Sequence, residues 1–324
     1  MKNNITFALL ISLGMTTAAV AQSLRPNDVN NASLDGLSDR PEEPSTAPDP
    51  ALVRLQVLLD RAGASPGVID GFYGANLTKA VRAFEAMHGL SVDGKLDAEV
   101  IAKLDQSAPA AASYTISDDD TKDIVREIPN DFADQAKMDS LGYTSVAEKL
   151  SERFHMDVDL LKALNPDTQF NAGDEITVVS PGTPREGKVK RIEAHRGDGT
   201  VFAYSEDGAI VAAYPATIGS KDNPTPSGEH KVNGVARMPK YTYNPDVNFQ
   251  QGQNKKLLEL PGGPNNPVGT VWIDLSEPTY GIHGTPEPSV IDKVGSHGCI
   301  RLANWDAEEL AAMVKPGVIV DITD

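Results

Sequence analysis

The residues best suited to covalent chemistry in this 324-residue chain lie in one short stretch near its end. Cys299 is the only cysteine, and two of the six histidines, His283 and His297, stand shortly before it. A single sulfur has no internal disulfide partner, so in an exported protein this thiol is free and needs a reason to be kept. A thiolate is a strong nucleophile, and a nearby imidazole can take its proton. His297 is separated from Cys299 by Gly298 alone, in a tight turn where the N–H groups of Gly298 and Cys299 can converge on one point as an oxyanion hole. His283 closes the apolar run Tyr280-Gly281-Ile282 and can come back across from a neighbouring strand as the general base. Blander readings stand beside this one. The cysteine can be a small buried hydrophobe. His283, His297 and Cys299 can be zinc ligands, although no fourth ligand stands at a sensible spacing. Arg301 can belong to a structural ion pair.

The same residues resemble the signature of L,D-transpeptidase catalytic domains, a histidine-glycine followed by a variable loop and then serine-histidine-glycine-cysteine. Here it reads His283-Gly284, twelve residues counted from Gly284 to Gly295, then Ser296-His297-Gly298-Cys299. Carried over, the resemblance implies Cys299 as nucleophile, His283 as base and the Gly284 carbonyl as the group that orients the imidazole. Ser296, His297 and Gly298 would shape the site, and Arg301 would meet a substrate carboxylate with its fork of donors. Residues 224–232 and 266–269 look like parts of the same domain, so the resemblance covers 188–324 and implies a mainly β, sandwich-like catalytic fold. The implied reaction is attack by Cys299 on the diaminopimelate carbonyl of a peptidoglycan tetrapeptide stem, with release of D-alanine. The thioester then passes to an amine, either of another stem or of a lysine on an outer-membrane lipoprotein. With water as acceptor the same chemistry gives an L,D-carboxypeptidase or endopeptidase. No metal or organic cofactor is implied, and carbapenem-type β-lactams are the expected covalent inhibitors.

The rest of the chain reads as the apparatus that brings this chemistry to a wall polymer. Acidic residues outnumber basic ones 46 to 29, for a net charge of −17. That leaves little basic surface to displace counterions from phosphates, which argues against nucleic acid as a partner. Lys2 precedes an apolar run over 5–15, and Ala19-Val20-Ala21 has the form of a signal-peptidase site. Residues 1–21 therefore read as a cleaved export signal, with an uncleaved anchor as the alternative, and the mature chain as periplasmic. Residues 22–50 are polar, acidic and proline-bearing, and read as a disordered tether.

Residues 51–106 read as a small three-helix domain. Leu52, Leu55 and Leu59 share one helical face, Leu77, Val81 and Phe84 a second, and Val100, Ile101 and Leu104 a third, with Asp-Gly turns between. Through Ile69-Asp70-Gly71-Phe72-Tyr73-Gly74 and Leu90-Ser91-Val92-Asp93-Gly94 this domain resembles peptidoglycan-binding domains. Residues 107–138 read as a linker. Residues 139–182 carry a capping box at Ser145-Val146-Ala147-Glu148, a helix with Val146, Leu150 and Phe154, a second helix capped by Asp157, and a strand at Ile176-Thr177-Val178-Val179. This unit partly resembles a lysin motif, an α/β glycan-binding module, with no first strand evident; a spacer role stands beside glycan binding. From 188 onward strands predominate. The aromatic loop over 235–264 reads either as a substrate-covering flap or as packing, and Asn304 is expected to cap a last helix. The rival from another class is a non-catalytic wall-binding protein, which would have no use for both His283 and the 296–299 segment.

Overall fold

The computed structural model describes residues 24–37, 45–246 and 249–324, so the expected export signal over 1–21 lies outside the described residues. The first elements are α1 (Pro26–Asn30), α2 (Pro50–Arg61), α3 (Ala75–His88) and α4 (Ala98–Lys103). Asp49 caps α2 through the N–H of Ala51, and Asp97 caps α4 through those of Glu99 and Val100. Leu52, Leu55, Leu59, Leu77, Val81 and Phe84 form the core between these helices, as their spacing predicts.

The tether expected over 22–50 needs correction for residues 24–37. Val29, Leu34 and Leu37 are buried, and the Asn30 side chain exchanges two hydrogen bonds with the backbone of Ala111 at 2.9 and 2.8 Å. Three well-placed apolar side chains anchor a segment whose average composition is polar, and averaging hides them.

The linker expected over 107–138 also needs correction. It holds β1 (Ala111–Thr115) and α5 (Phe132–Gln135), which precede α6 (Val146–Arg153), α7 (Val158–Leu164) and β2 (Glu175–Val179). β1 pairs antiparallel with β2 from Ala111↔Val179 to Thr115↔Glu175. The second module thus runs strand, helix, helix, strand, and its first strand is separated from the helices by an excursion carrying α5. Only Ala111 of β1 is fully buried, so the strand shows no apolar alternation that a reader of the sequence could use.

The C-terminal domain contains β3 (Arg191–His195), β4 (Thr200–Tyr204), β5 (Ile210–Pro215), β6 (Thr217–Ile218), β7 (Gly228–Arg237), β8 (Tyr241–Tyr243), β9 (Leu258–Leu260), β10 (Val271–Leu275), β11 (Gly281–His283), β12 (Ile300–Arg301), α8 (Asn304–Met313) and β13 (Ile319–Thr323). Nine strands form one sheet in the order β5-β4-β3-β13-β7-β10-β11-β12-β6. The sandwich-like expectation is realised through β7, whose first half pairs with β13 and whose second half pairs with β10. Both halves of the sheet share one core, with Ile192 and Val201 from one side, Ile273 and Ile282 from the other, and Leu310 and Met313 of α8.

The three modules are docked through their backbones. Ala213 donates to the Gly63 carbonyl at 2.7 Å and accepts from Ser65 at 2.9 Å. Ile69 and Asp157 complete a second bridge, Ile69 N–H to His155 O and Asp157 N–H to Ile69 O, both at 2.9 Å. The His155 ring stacks on Trp305 of α8 at 5.3 Å and meets Asp60 of α2 at 3.0 Å.

Candidate active site

One row of paired residues crosses the sheet. Trp272 on β10 is paired with His283 on β11, His283 with Arg301 on β12, and Arg301 with Thr217 on β6. Paired residues on adjacent strands present their side chains to the same face, and Cys299, just before β12, lines the same cavity as His283 and Arg301. Local sequence explains the row. Ile282 and Ile300 alternate with these residues and point into the core, which leaves the chemistry-bearing side chains on the opposite face.

The His283 ring lies against Trp272, 5.6 Å between centroids and 18° between planes. Its Nδ1 is 2.6 Å from the Gly284 carbonyl oxygen. A carbonyl can only accept, so Nδ1 carries the hydrogen and Nε2 holds the free lone pair. Burial lowers the His283 pKa to about 4, the Arg301 charge adds to the effect, and the hydrogen bond to Gly284 opposes it. Cys299 is half-buried. Burial pushes its thiol up, while the Gly281 N–H and the Arg301 charge partly offset this. The resting pair is therefore neutral imidazole and thiol. The thiol donates to the Thr279 carbonyl at 3.7 Å, and both side chains line a cavity of about 660 Å³.

The loop before Cys299 is braced from within. Ser296 Oγ donates to the Cys299 carbonyl at 2.6 Å, and Thr225 Oγ1 donates to that of Gly298 at 2.6 Å. Gly298 has φ 109°, and a Cβ there would lie 2.7 Å from the Tyr280 ring, so only glycine fits. Its N–H turns inward to Ser296 Oγ at 3.3 Å. This corrects the expectation that the Gly298 N–H stands free as an oxyanion donor; the loop uses it to hold its own shape.

His297 is exposed and stacks on Phe249, 4.1 Å between centroids. It forms a wall of the cavity, and the zinc alternative finds no gathered ligand set around it: among the described residues no cluster of three or more His, Cys, Asp or Glu is placed to hold a metal. Arg301 also departs from its bland reading. Its buried Nε has no hydrogen-bond partner among the described residues. Burial lowers its pKa, while the charge of Glu287 acts in the other direction.

Several residues of the site escape sequence reasoning. Asn304 does not cap α8; the capping position is Ala303. The Asn304 Oδ1 accepts from Thr270 N–H at 3.2 Å, and its Nδ2 donates to both oxygens of Glu152 in α6, at 3.2 and 3.0 Å. A Cβ on Gly284 would lie 2.2 Å from that Oδ1, so Asn304 fills the space behind the residue that holds the imidazole. Phe132 and Gln135 of α5 line the cavity from the second module. Phe132 packs edge-to-face on Tyr241, Tyr243 and Phe249, while Gln251 donates to Asn130 O and accepts from Phe132 N–H. The aromatic loop is thus packed in place, with Tyr241 and Phe249 lining the cavity, and is pinned by a helix more than a hundred residues earlier in the chain.

Comparisons with known proteins give the class to which this modular chain belongs. Residues 189–322 match the family model described as "L,D-transpeptidase catalytic domain", and residues 48–104 match one described as "Putative peptidoglycan binding domain". Over 156 residues the chain is 35% identical to "Putative L,D-transpeptidase YkuD" of Bacillus licheniformis, covering 48% of this chain and 78% of that protein. Over 169 residues it is 30% identical to the protein of the same name in Bacillus subtilis, covering 52% and 88%. Among solved structures it is similar to L,D-transpeptidase 3 from Mycobacterium tuberculosis in complex with a faropenem-derived adduct, with 18% identity, TM-score 0.35, and 48% of this chain and 76% of that one covered. The chain belongs to the L,D-transpeptidase family, and it carries a peptidoglycan-binding domain ahead of its catalytic domain.

Proposed function

We propose that the protein is a periplasmic L,D-transpeptidase in which Cys299 is the nucleophile and His283 the base. The observation that carries the reading is that a free thiol and an imidazole of fixed tautomer open into one cavity. Cys299 attacks the diaminopimelate carbonyl of a tetrapeptide stem as its proton passes to His283 Nε2. The Gly281 N–H and the Arg301 charge, which favour the anionic sulfur, ease formation of the thiolate. The imidazolium returns the proton to the departing D-alanine nitrogen, leaving a thioester. In the second half an amine attacks the thioester carbon, sulfur leaves, and the amine's proton reaches it through His283. Arg301, whose side chain lines the cavity, holds a stem carboxylate. The three-helix domain, and the second module if it binds glycan as lysin motifs do, keep the chain on the wall.

The test is release of D-alanine from tetrapeptide muropeptides. Cys299→Ala abolishes release and also prevents the mass shift expected on incubation with a carbapenem. Full turnover in that variant would leave a wall-binding protein as the better reading. If the products are tripeptide stems alone, water is the acceptor and the activity is that of a carboxypeptidase.

A further inference from the structure

Helix α3 of the three-helix domain reaches the loop that ends at Cys299. Asn76 and Lys79 stand three positions apart on α3 and so share a face, while Leu77, Ala80 and Phe84 turn into the helical core. Asn76 Nδ2 donates to the Ile291 carbonyl at 3.3 Å. Lys79 Nζ pairs with the Asp292 carboxylate and also donates to the Gly199 carbonyl at 3.3 Å. Asn76 and Lys79 lie in the peptidoglycan-binding segment, outside the residues matched by the catalytic family model. Ile291 and Asp292 lie in the loop that joins His283-Gly284 to Ser296-His297-Gly298-Cys299.

This ion pair is more enclosed than its neighbours in kind. The Lys79 side chain is 17% exposed and that of Asp292 33%, whereas the lysines of the other three lysine–aspartate pairs among the described residues are at least 64% exposed. A Cβ on Gly199 would lie 2.8 Å from Lys79 Nζ and closer still to the Asp292 carboxylate, so the turn between β3 and β4 makes room for the pair by carrying no side chain there. Asp292 sits at φ 60°, in the left-handed region that aspartate and asparagine tolerate better than most residues. Its N–H donates to Thr217 Oγ1 at 2.8 Å, and Thr217 is the β6 partner of Arg301. Residues 293–295 are exposed. The chain is next held at Ser296, whose N–H donates to the Gly219 carbonyl at 3.0 Å and whose Oγ holds the Cys299 carbonyl.

We propose that Lys79 and Asn76 are positioning residues for the Cys299 loop, so that the peptidoglycan-binding domain takes part in the acylation step itself. The inference rests on the transpeptidase reading, because it assigns these residues to the reaction of Cys299. The place of α3 is set without them: Ala213 of β5 packs in the helical core, and its backbone is bridged to Gly63 and Ser65. With α3 fixed to the sheet, the Lys79 charge and the Asn76 amide determine where Ile291 and Asp292 sit. Three residues further on, the loop delivers Ser296 and then the thiol. A displacement of about 1 Å in a catalytic group can cost roughly 10²-fold in rate. Release of this anchor is therefore felt at the sulfur, although neither side chain touches substrate.

The experiment follows acylation of the full chain by a carbapenem, a probe that carries no glycan and so bypasses wall binding. Stopped-flow traces at several carbapenem concentrations separate the half-saturating concentration from the limiting rate. Lys79→Met lowers the limiting rate about fivefold and leaves the half-saturating concentration unchanged. Asp292→Asn, which keeps a residue suited to the left-handed backbone, does the same, and Asn76→Ala acts in the same direction. Lys79→Arg restores the charge and recovers most of the rate. Lys79→Met/Asp292→Asn is no slower than the slower single variant, because the two side chains act through one contact. Arg82→Met, an exposed change on the same helix, leaves the rate as it was. Unaltered limiting rates in Lys79→Met and Asp292→Asn overturn the proposal, as do losses that add in the double variant or fall wholly on the half-saturating concentration. Thermal melts by circular dichroism accompany each variant; a rate loss that Lys79→Arg fails to recover and that follows melting temperature across the set marks a structural role alone and also overturns it. If the unaltered chain takes no carbapenem on Cys299, the transpeptidase reading is refuted and the proposal falls with it, whereas equal rates refute the proposal alone.

Discussion

The Glu152 carboxyl group in the second module accepts from Asn304 Nδ2 in the catalytic domain, at 3.2 and 3.0 Å, and from the Tyr143 hydroxyl at 3.4 Å. Asn304 stands directly behind Gly284, the residue that holds the His283 ring. The contact has a pH signature. Burial raises the Glu152 pKa from 4.5 to about 8, so the folded chain binds a proton that the unfolded chain has released above pH 4.5. The stabilisation is complete below that pH and is lost as pH rises through about 8. The melting temperature of the unaltered chain therefore declines between pH 5 and 9, and Glu152→Gln flattens that part of the profile. A scan by circular dichroism at several pH values checks it; an unchanged slope in the variant counts against the assignment.

Asn304→Ala removes a side chain that satisfies groups on both sides of the module boundary. It leaves the Thr270 N–H without its side-chain acceptor and takes the Asn304 donor from Glu152, which keeps only the Tyr143 hydroxyl at 3.4 Å, and a buried group left unsatisfied costs about 1–3 kcal/mol. Denaturant unfolding is expected to show a loss in that range. Carbapenem labelling of the surviving folded protein slows as well, because Gly284 loses the support behind it.

The rate of Cys299 acylation has an unusual expected pH profile. With the His283 pKa lowered to about 4, the imidazole is a free base throughout the neutral range, so no acid limb appears near pH 6.5. The thiol is pushed upward by burial, so the rate continues to climb into the alkaline range. His283→Gln removes the base and lowers the rate by roughly 10²–10⁴-fold. Stopped-flow measurement of carbapenem acylation from pH 4 to 10 distinguishes this from an ordinary histidine, which would give a limb near 6.5.

Arg301→Lys keeps the charge and loses the fork of donors. A charge-assisted hydrogen bond is worth about 1.5–3 kcal/mol, and 1.4 kcal/mol is a factor of ten. The KM for a tetrapeptide donor is therefore expected to rise by about tenfold or more, with kcat less affected. An unchanged KM would show that the guanidinium does not meet the donor.

Gly298→Ala meets two obstacles, a left-handed φ of 109° and the Tyr280 ring 2.7 Å from the new Cβ. Strained backbone of this kind costs of order 1–3 kcal/mol. The variant is expected to melt earlier and to lose D-alanine release more than tenfold, since the Ser296 and Thr225 hydrogen bonds that shape the loop cannot all persist. Gly36→Ala is the comparison, since a Cβ at that glycine, also of positive φ, meets nothing within 4 Å.

Much of the site was legible because it is local. His283-Gly284 and Ser296-His297-Gly298-Cys299 each fold within a few residues, and strand alternation places Ile282 and Ile300 inward and their neighbours outward. The three-helix core was legible through Leu52, Leu77 and Phe84 for the same reason. What stayed hidden depends on residues far apart in the chain. β1 is recognisable only once β2 lies beside it. Gln135 reaches the cavity because Phe132 finds Tyr241, Tyr243 and Phe249. Glu152 has no local signal at all, since an acidic residue in an amphipathic helix is normally solvated; its burial follows from docking against α8. The packed segment over 24–37 was missed because Val29, Leu34 and Leu37 bury themselves in two different cores.

The backbone bridges at Ala64–Ala213 and Ile69–Met156 tie the three-helix domain to the catalytic sheet and to the second module respectively. An enzyme on a flexible leash samples every peptide within its reach. On the proposed transpeptidase reading, a domain fixed to the sheet instead acts as a gauge, and the interval between a gripped polymer and a bond made at Cys299 becomes a property of the protein itself. Spacing of the attachments along a strand would then be set by protein geometry as well as by substrate supply.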